Sequence, residues 1–155
     1  MPKGRTGLVV GAGNKTPKWQ QKGWQTADID SSHGSDHIID AGLSLAQGKE
    51  TFDFILAERL AGMGSIPGVN FHSFVNQAQE VLKPGGVLII DTINHSQKDQ
   101  AIPNLQEMGH LLEESGFEFT AELGSIYPER NTRADEPFQQ RIIYYAQKKA
   151  VNVTS

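Results

Sequence analysis

The stretch LVVGAGNKTPKWQQKGWQTADID, residues 8–30, passes from an apolar run through two glycines and a short polar segment into a second run that ends on aspartates. Its order predicts a strand, a glycine turn, a short helix and a second strand. Gly11-x-Gly13 alone also suits an ordinary tight turn, so its meaning depends on its surroundings. Where a parallel strand runs into a helix, glycine lets a ligand approach the backbone because no Cβ intervenes, and the start of the helix offers free N–H donors. A carboxylate at the end of the next strand can then accept from both hydroxyls of a ribose, about 20 residues beyond the glycines. Asp28 and Asp30 lie 17 and 19 positions past Gly11, a spacing that suits an adenosine-containing ligand. For a dinucleotide the third glycine of G-x-G-x-x-G would fall at position 16, which is threonine.

Outward from this stretch, apolar runs about five residues long alternate with segments of helical period, the pattern of strands and crossover helices in a parallel sheet. Strands are expected at 7–11, 24–28, 37–40, 52–57, 86–92, 117–122 and 140–147. Phe71, Phe74, Val75, Ala78, Val81 and Leu82 share one face of a helix over 70–82, which Lys83-Pro84-Gly85-Gly86 should end with a turn. A second helix over 104–115 opens on Asn104 as its cap and closes at Gly116, with Leu105, Met108, Leu111 and Leu112 as its buried stripe. Thr16 and Pro17 read as the cap and first turn of a short helix that Gly23 ends. The link SSHGSD, between the second and third strands, is too short for a full crossover helix. Residues 61–70 and 123–139 should be loops.

The chain has 155 residues, 37% of them apolar, enough for a single domain over 1–149 with a frayed tail at 150–155. It has no cysteine, which removes disulfides, thiolate metal sites and a cysteine nucleophile together. No His/Asp/Glu grouping has the close spacing of a metal site, so no metal is expected. The net charge of −4 and the lack of a long basic run argue against nucleic acid as a partner. The opening MPKGRTG leads into too few apolar residues for a signal peptide or a membrane span, and a cytoplasmic location is the default.

Several separate pieces resemble one family, the class I S-adenosylmethionine (SAM)-dependent methyltransferases. LVVGAGNK resembles their first motif, GWQTADID their second-strand acidic motif, and IIDAGLSL the stretch whose Asp-Ala flanks the adenine. FDFILAERL resembles the fourth strand, QEVLKPGGVLIID the helix, turn and fifth strand, and LLEESGF the approach to the sixth. The resemblance spans residues 7–147, with VLKPGG before an apolar strand its most telling piece. It implies an α/β Rossmann-like fold: a mostly parallel seven-stranded sheet, the last strand antiparallel, with helices on both faces; this chain departs from it in that the helix between the second and third strands is reduced to a turn. It also implies SAM as cofactor, with S-adenosylhomocysteine as product.

Carried over by position, Gly11, Ala12 and Gly13 would pass beneath the methionine and ribose portions. Asp28 would hold the ribose hydroxyls beside Ile29, with Asp30 as the alternative. Asp40 would accept from the adenine amino group with the Ala41 N–H facing a ring nitrogen, and Glu58 would border the methyl donor and the substrate. Glu58 and His95 are the catalytic candidates, with His72 and Tyr127 behind them; a solvated His72 is the more ordinary case. Trp19 and Trp24 read as core, and Glu113-Glu114 and Lys148-Lys149 as solvated charge.

Two positions depart from the family: Val9 stands where an acidic residue would meet the cofactor's ammonium, and Lys15 where the loop's third glycine would be. The family's N-terminal helix is also missing, leaving an open site that a second copy, a partner chain or the 61–70 loop would close. AERL after the fourth strand is unlike the Asn/Asp-Pro-Pro-aromatic run of amino-methylating DNA enzymes. A small molecule that takes methyl on oxygen or nitrogen is the expected acceptor. A methyltransferase-like binding or assembly module and a nicotinamide-dependent Rossmann enzyme stay open at this stage.

Overall fold

The computed structural model describes residues 3–11, 15–28, 34, 36–38, 50–57, 71–94, 105–124, 126 and 140–149. Its elements run in the order β1 (Gly7–Val10), α1 (Thr16–Gln21), β2 (Gln25–Asp28), β3 (His37–Ile38), β4 (Phe52–Ala57), α2 (Phe71–Val81), β5 (Leu82–Asn94), α3 (Leu105–Glu114), β6 (Phe117–Leu123) and β7 (Gln140–Lys148). The strands form one seven-stranded sheet in the order β3-β2-β1-β4-β5-β7-β6. All pairs from β3 to β5 are parallel, and β7 runs antiparallel to both its neighbours. The order reverses direction at β1, so the crevice beyond the carboxyl ends of β1 and β4 is the place where an open α/β sheet binds ligands.

The central strands are apolar on both sides because helices cover both faces. One face carries Leu8, Val10, Ala27, Ile55, Ala57, Leu88 and Ile90 against Phe74, Val75 and Ala78 of α2 and Met108 and Leu112 of α3. Each fully buried Val, Leu, Ile, Phe or Met among them contributes about 1.5–3 kcal/mol of transfer free energy, which is what holds the two helices to the sheet. The opposite face carries Val9 and Leu56, packed by Trp19, Trp24, Ile89 and Ile126. The two tryptophans meet edge to face at 5.3 Å between ring centroids, so they act as half-buried packing and bear out the core reading.

Their contact is set by how α1 ends. Gly23, at φ 86°, donates its N–H to the Gln20 carbonyl while the Trp24 N–H returns to the Trp19 carbonyl, the paired bonds of a Schellman cap. A side chain at position 23 would strain that turn. The start of α1 differs from expectation: Lys15 occupies the N-cap position and Thr16 is the first helical residue, wholly buried. With Pro17 occupying the first turn, the helix begins one residue before the threonine could cap it.

Three further expectations are corrected. The fifth strand begins at Leu82, not at 86: Leu82 pairs with Phe52, the chain leaves the ladder over Lys83–Gly86, and it rejoins at Val87 opposite Phe54. The Lys-Pro-Gly-Gly segment is therefore an irregularity within β5 and not the turn that ends a helix, and its Gly85 takes φ 77°. Leu105 is 43% exposed, so the buried stripe of α3 is Met108, Gly109, Leu111 and Leu112. Leu105 sits in the first turn, beyond the area α3 presses on the sheet. Lys148 is 6% exposed and not solvated: its ammonium donates to the Leu82 carbonyl at 2.8 Å, just where β5 leaves its ladder.

At the amino end of the sheet, Asp53 links three segments. It accepts from the Thr6 amide at 2.9 Å, from Arg5 at 3.2 Å and from Lys83 at 3.3 Å. The Thr6 amide, then Lys83 and Arg5, hold its carboxyl below the ordinary carboxylate range despite the opposing effect of burial. No helix among the described residues is long and apolar enough to cross a membrane.

Candidate functional site at the carboxyl edge of the sheet

The strand register aligns the residues that matter at the carboxyl edge. Val10 of β1 pairs with Ala27 of β2 and Ala57 of β4, Ala57 pairs with Ile90 of β5, and Asp28 pairs with Ile38 of β3. Gly11 follows Val10 directly, takes φ 79°, and donates its N–H to the Ala27 carbonyl at 2.9 Å. That left-handed conformation costs a residue with a Cβ about 1–2 kcal/mol, so glycine is required where the chain turns away from β1. The same hydrogen bond fixes the turn to β2, whose last residue is Asp28. Gly11 and Asp28 are thus brought to adjacent strand ends, as the spacing predicts.

Of the other predicted site residues, Ala12, Gly13, Ile29, Asp40, Ala41, Glu58 and His95 lie outside the described residues, as do Asp30 and Tyr127. His72 is exposed on α2, its ring nitrogen 3.1 Å from the Asn76 side-chain amide one turn on, in keeping with the solvated reading. Val9 is fully buried against Leu56 and the tryptophans, so its side chain offers the site no charge. Among the described residues no group of three His, Cys, Asp or Glu could hold a metal.

One residue at this edge escaped the sequence reading. Asp91 follows Ile90 on β5, level with the positions after Val10 and Ala57, and is 1% exposed. Its carboxylate accepts from the Ile126 amide at 3.3 Å, tying the segment beyond β6 to the sheet. Burial, and behind it the charges of Glu122 and Asp91, push the Tyr145 hydroxyl above its ordinary pKa. The signal in the sequence was the acidic residue that closes the apolar run VLII, although β5 continues past it to Asn94.

No protein-family model matches the chain, and no curated protein sequence matches it. Solved structures do. A SAM-dependent methyltransferase from Methanosarcina mazei superposes with a TM-score of 0.70 over 97% of this chain and 95% of its own, at 13% identity. A SAM-dependent methyltransferase from Thermotoga maritima gives 0.64 over 96% and 84%, at 17% identity. The (4+2)-cyclase SpnF gives 0.65 over 95% and 75%, at 18% identity. The protein therefore has the Rossmann-like fold of the class I SAM-dependent methyltransferases. The presence of a cyclase among its structural neighbours means that this fold hosts more than one reaction, so the chemistry has to be argued from the site.

Proposed function

We propose that the protein is a SAM-dependent methyltransferase that transfers a methyl group to an oxygen or nitrogen of a small-molecule acceptor. The observation that carries this reading is the meeting of a left-handed Gly11 and a strand-end Asp28 beside the switch point of a 3-2-1-4-5-7-6 sheet. The fit of the cofactor is supported by Gly11, whose missing side chain and φ of 79° leave backbone exposed to close approach at that edge. Asp28 is the acceptor for the ribose hydroxyls, with Gly11, Ala12 and Gly13 beneath the neighbouring portion and Ile29 alongside. Asp40 and Ala41 read the adenine.

The sulfonium of SAM supplies an already activated methyl group, so what remains for the protein is alignment and exclusion of water. Glu58, one residue beyond β4, borders the transfer, and His95, one beyond β5, is the base if the acceptor carries a proton. The mostly apolar β4 carries no second acid at its carboxyl end, which leaves Glu58 as that strand's contribution. A soluble, cytoplasmic, single-domain protein acting on a small molecule fits the composition.

A second reading, a methyltransferase-like binding or assembly module, draws on Val9. A valine there supplies no carboxylate to pair with the cofactor's ammonium, and this weakens cofactor binding by one charge-assisted hydrogen bond. A thermal shift experiment separates the readings. At a hundredfold excess over Kd, SAM and S-adenosylhomocysteine should each stabilise the protein by about 2.7 kcal/mol, a rise of about 5–10 °C, and NAD should not. Asp28→Ala should remove most of that rise. A silent response to both sulfur nucleosides would replace the enzyme with the module.

A further inference from the structure

Parallel strands need a crossover of a dozen or more residues, usually a helix. Only residues 29–36 separate Asp28 of β2 from His37 of β3, yet the two strands pair in parallel as Ala27 with His37 and Asp28 with Ile38. Two rungs of ladder are too few to fix a register alone.

The missing hold comes from side chains. The Ala27 carbonyl faces β1, where it accepts from Gly11, so the Thr26 amide faces the β3 side, just before the first rung. Asp36 fills that position: its carboxylate accepts from the Thr26 amide at 2.9 Å and from the Thr26 hydroxyl at 3.2 Å. The Asp36 amide donates back to the Thr26 hydroxyl at 3.1 Å. Gln20 of α1 completes the set, donating to the Thr26 hydroxyl at 3.2 Å and to the Gly34 carbonyl at 3.1 Å. Thr26 is wholly buried, and its hydroxyl donates once and accepts twice, its full capacity.

We propose that Asp36 is a positioning residue that clamps β2 to β3 across the short link between them, and so holds the acid that ends β2, Asp28, in its place at the carboxyl edge. This rests on the reading that assigns Asp28 to the ribose of a nucleoside. A slip of one rung at the end of β2, about 3.3 Å, is enough to lose that contact. Gln20 extends the clamp to α1, so the helix and both strands are tied to a single hydroxyl.

The test compares Asp36→Ala and Asp36→Asn with the parent protein in two measurements. In the ligand-free protein, amide hydrogen exchange over Thr26–Asp28 should quicken about tenfold or more in Asp36→Ala, while β4 and β5 keep their protection. Titrated with S-adenosylhomocysteine and with adenosine, Asp36→Ala should lose affinity for both by the same factor, about tenfold. Asp36→Asn keeps an acceptor for the Thr26 amide and should recover most of both properties. Unchanged exchange overturns the clamp. Faster exchange with unchanged affinity overturns its role in the site. A parent protein that binds neither compound overturns the nucleoside reading and the positioning role with it, and exchange still reports whether the clamp exists.

Discussion

Replacement of Gly109 by alanine sets two effects of similar size against each other, and Phe119 decides between them. Gly109 lies inside α3, where glycine costs about 1 kcal/mol relative to alanine, so on propensity alone the substitution stabilises. Packing opposes it. A Cβ at this position would lie 2.9 Å from the Phe119 ring Cζ, closer than carbon atoms can approach without displacement, and 3.4 Å from Cε1. The ring cannot retreat inward, because it rests against Tyr144, which is fully buried. It must turn outward from β6, at an overpacking cost of about 1–3 kcal/mol. The balance is a loss of about 1 kcal/mol, or about 2–4 °C in Tm for a domain of this size. With the ring removed, in Phe119→Ala, only the helix term remains and Gly109→Ala should stabilise by about 0.5–1 kcal/mol. Urea denaturation of the four proteins in the cycle measures this, with an expected coupling of about 1–3 kcal/mol. Gly109→Ala having the same sign in both backgrounds would refute the argument that α3 approaches β6 closely because position 109 has no side chain.

Two other substitutions have clear expected signs. The Tyr144 hydroxyl is buried with no hydrogen-bond partner among the described residues, and burial pushes its pKa up to about 12. Tyr144→Phe should therefore stabilise the protein by about 1 kcal/mol, and a fall in Tm would show that the hydroxyl is satisfied in solution. Asp53 has a depressed folded pKa, so its contribution is present above the ordinary carboxylate value and is lost as pH falls through the lower folded value. The stability gap between the parent and Asp53→Asn should be full at pH 6 and close progressively below about pH 4. Because Arg5 and Lys83 are 59% and 42% exposed while the Thr6 amide is the leading partner, added salt should narrow the gap only slightly. A gap that stays constant down to pH 2 would contradict it.

The strands could be read from the sequence because a parallel sheet covered on both faces writes itself as short continuous apolar runs, as LVV and FDFILA do. Gly11 and Asp28 were legible for a similar reason: a turn that needs φ > 0 and a strand-end acid at nucleotide spacing are local patterns. What escaped was set by partners distant in the chain. Lys148 looks like surface charge until β7 brings it to Leu82, 66 positions earlier. Asp91 acquires its meaning from Ile126, and Asp36 from a register that no local pattern announces. The Lys-Pro-Gly-Gly segment reads as a turn but lies inside β5 as an irregularity of the ladder, because Phe52 pairs with Leu82 before it and Phe54 with Val87 after it. Leu105 fits the helical period and still faces solvent, because periodicity gives the face of a helix and not how far its partner extends.

The place of β7 between β5 and β6 also governs the order of assembly. In vectorial synthesis β6 leaves the ribosome with no strand to lie beside, since its sheet neighbour β7 is encoded downstream, and until residues 140–148 follow, the edges of β5 and β6 that β7 will pair stay open. Among the described elements that precede it, α3, packed on β6, is the one to shelter it in that interval. A stop codon before Gln140 would make that interval permanent, and the shortened product should go to chaperones and proteases rather than fold.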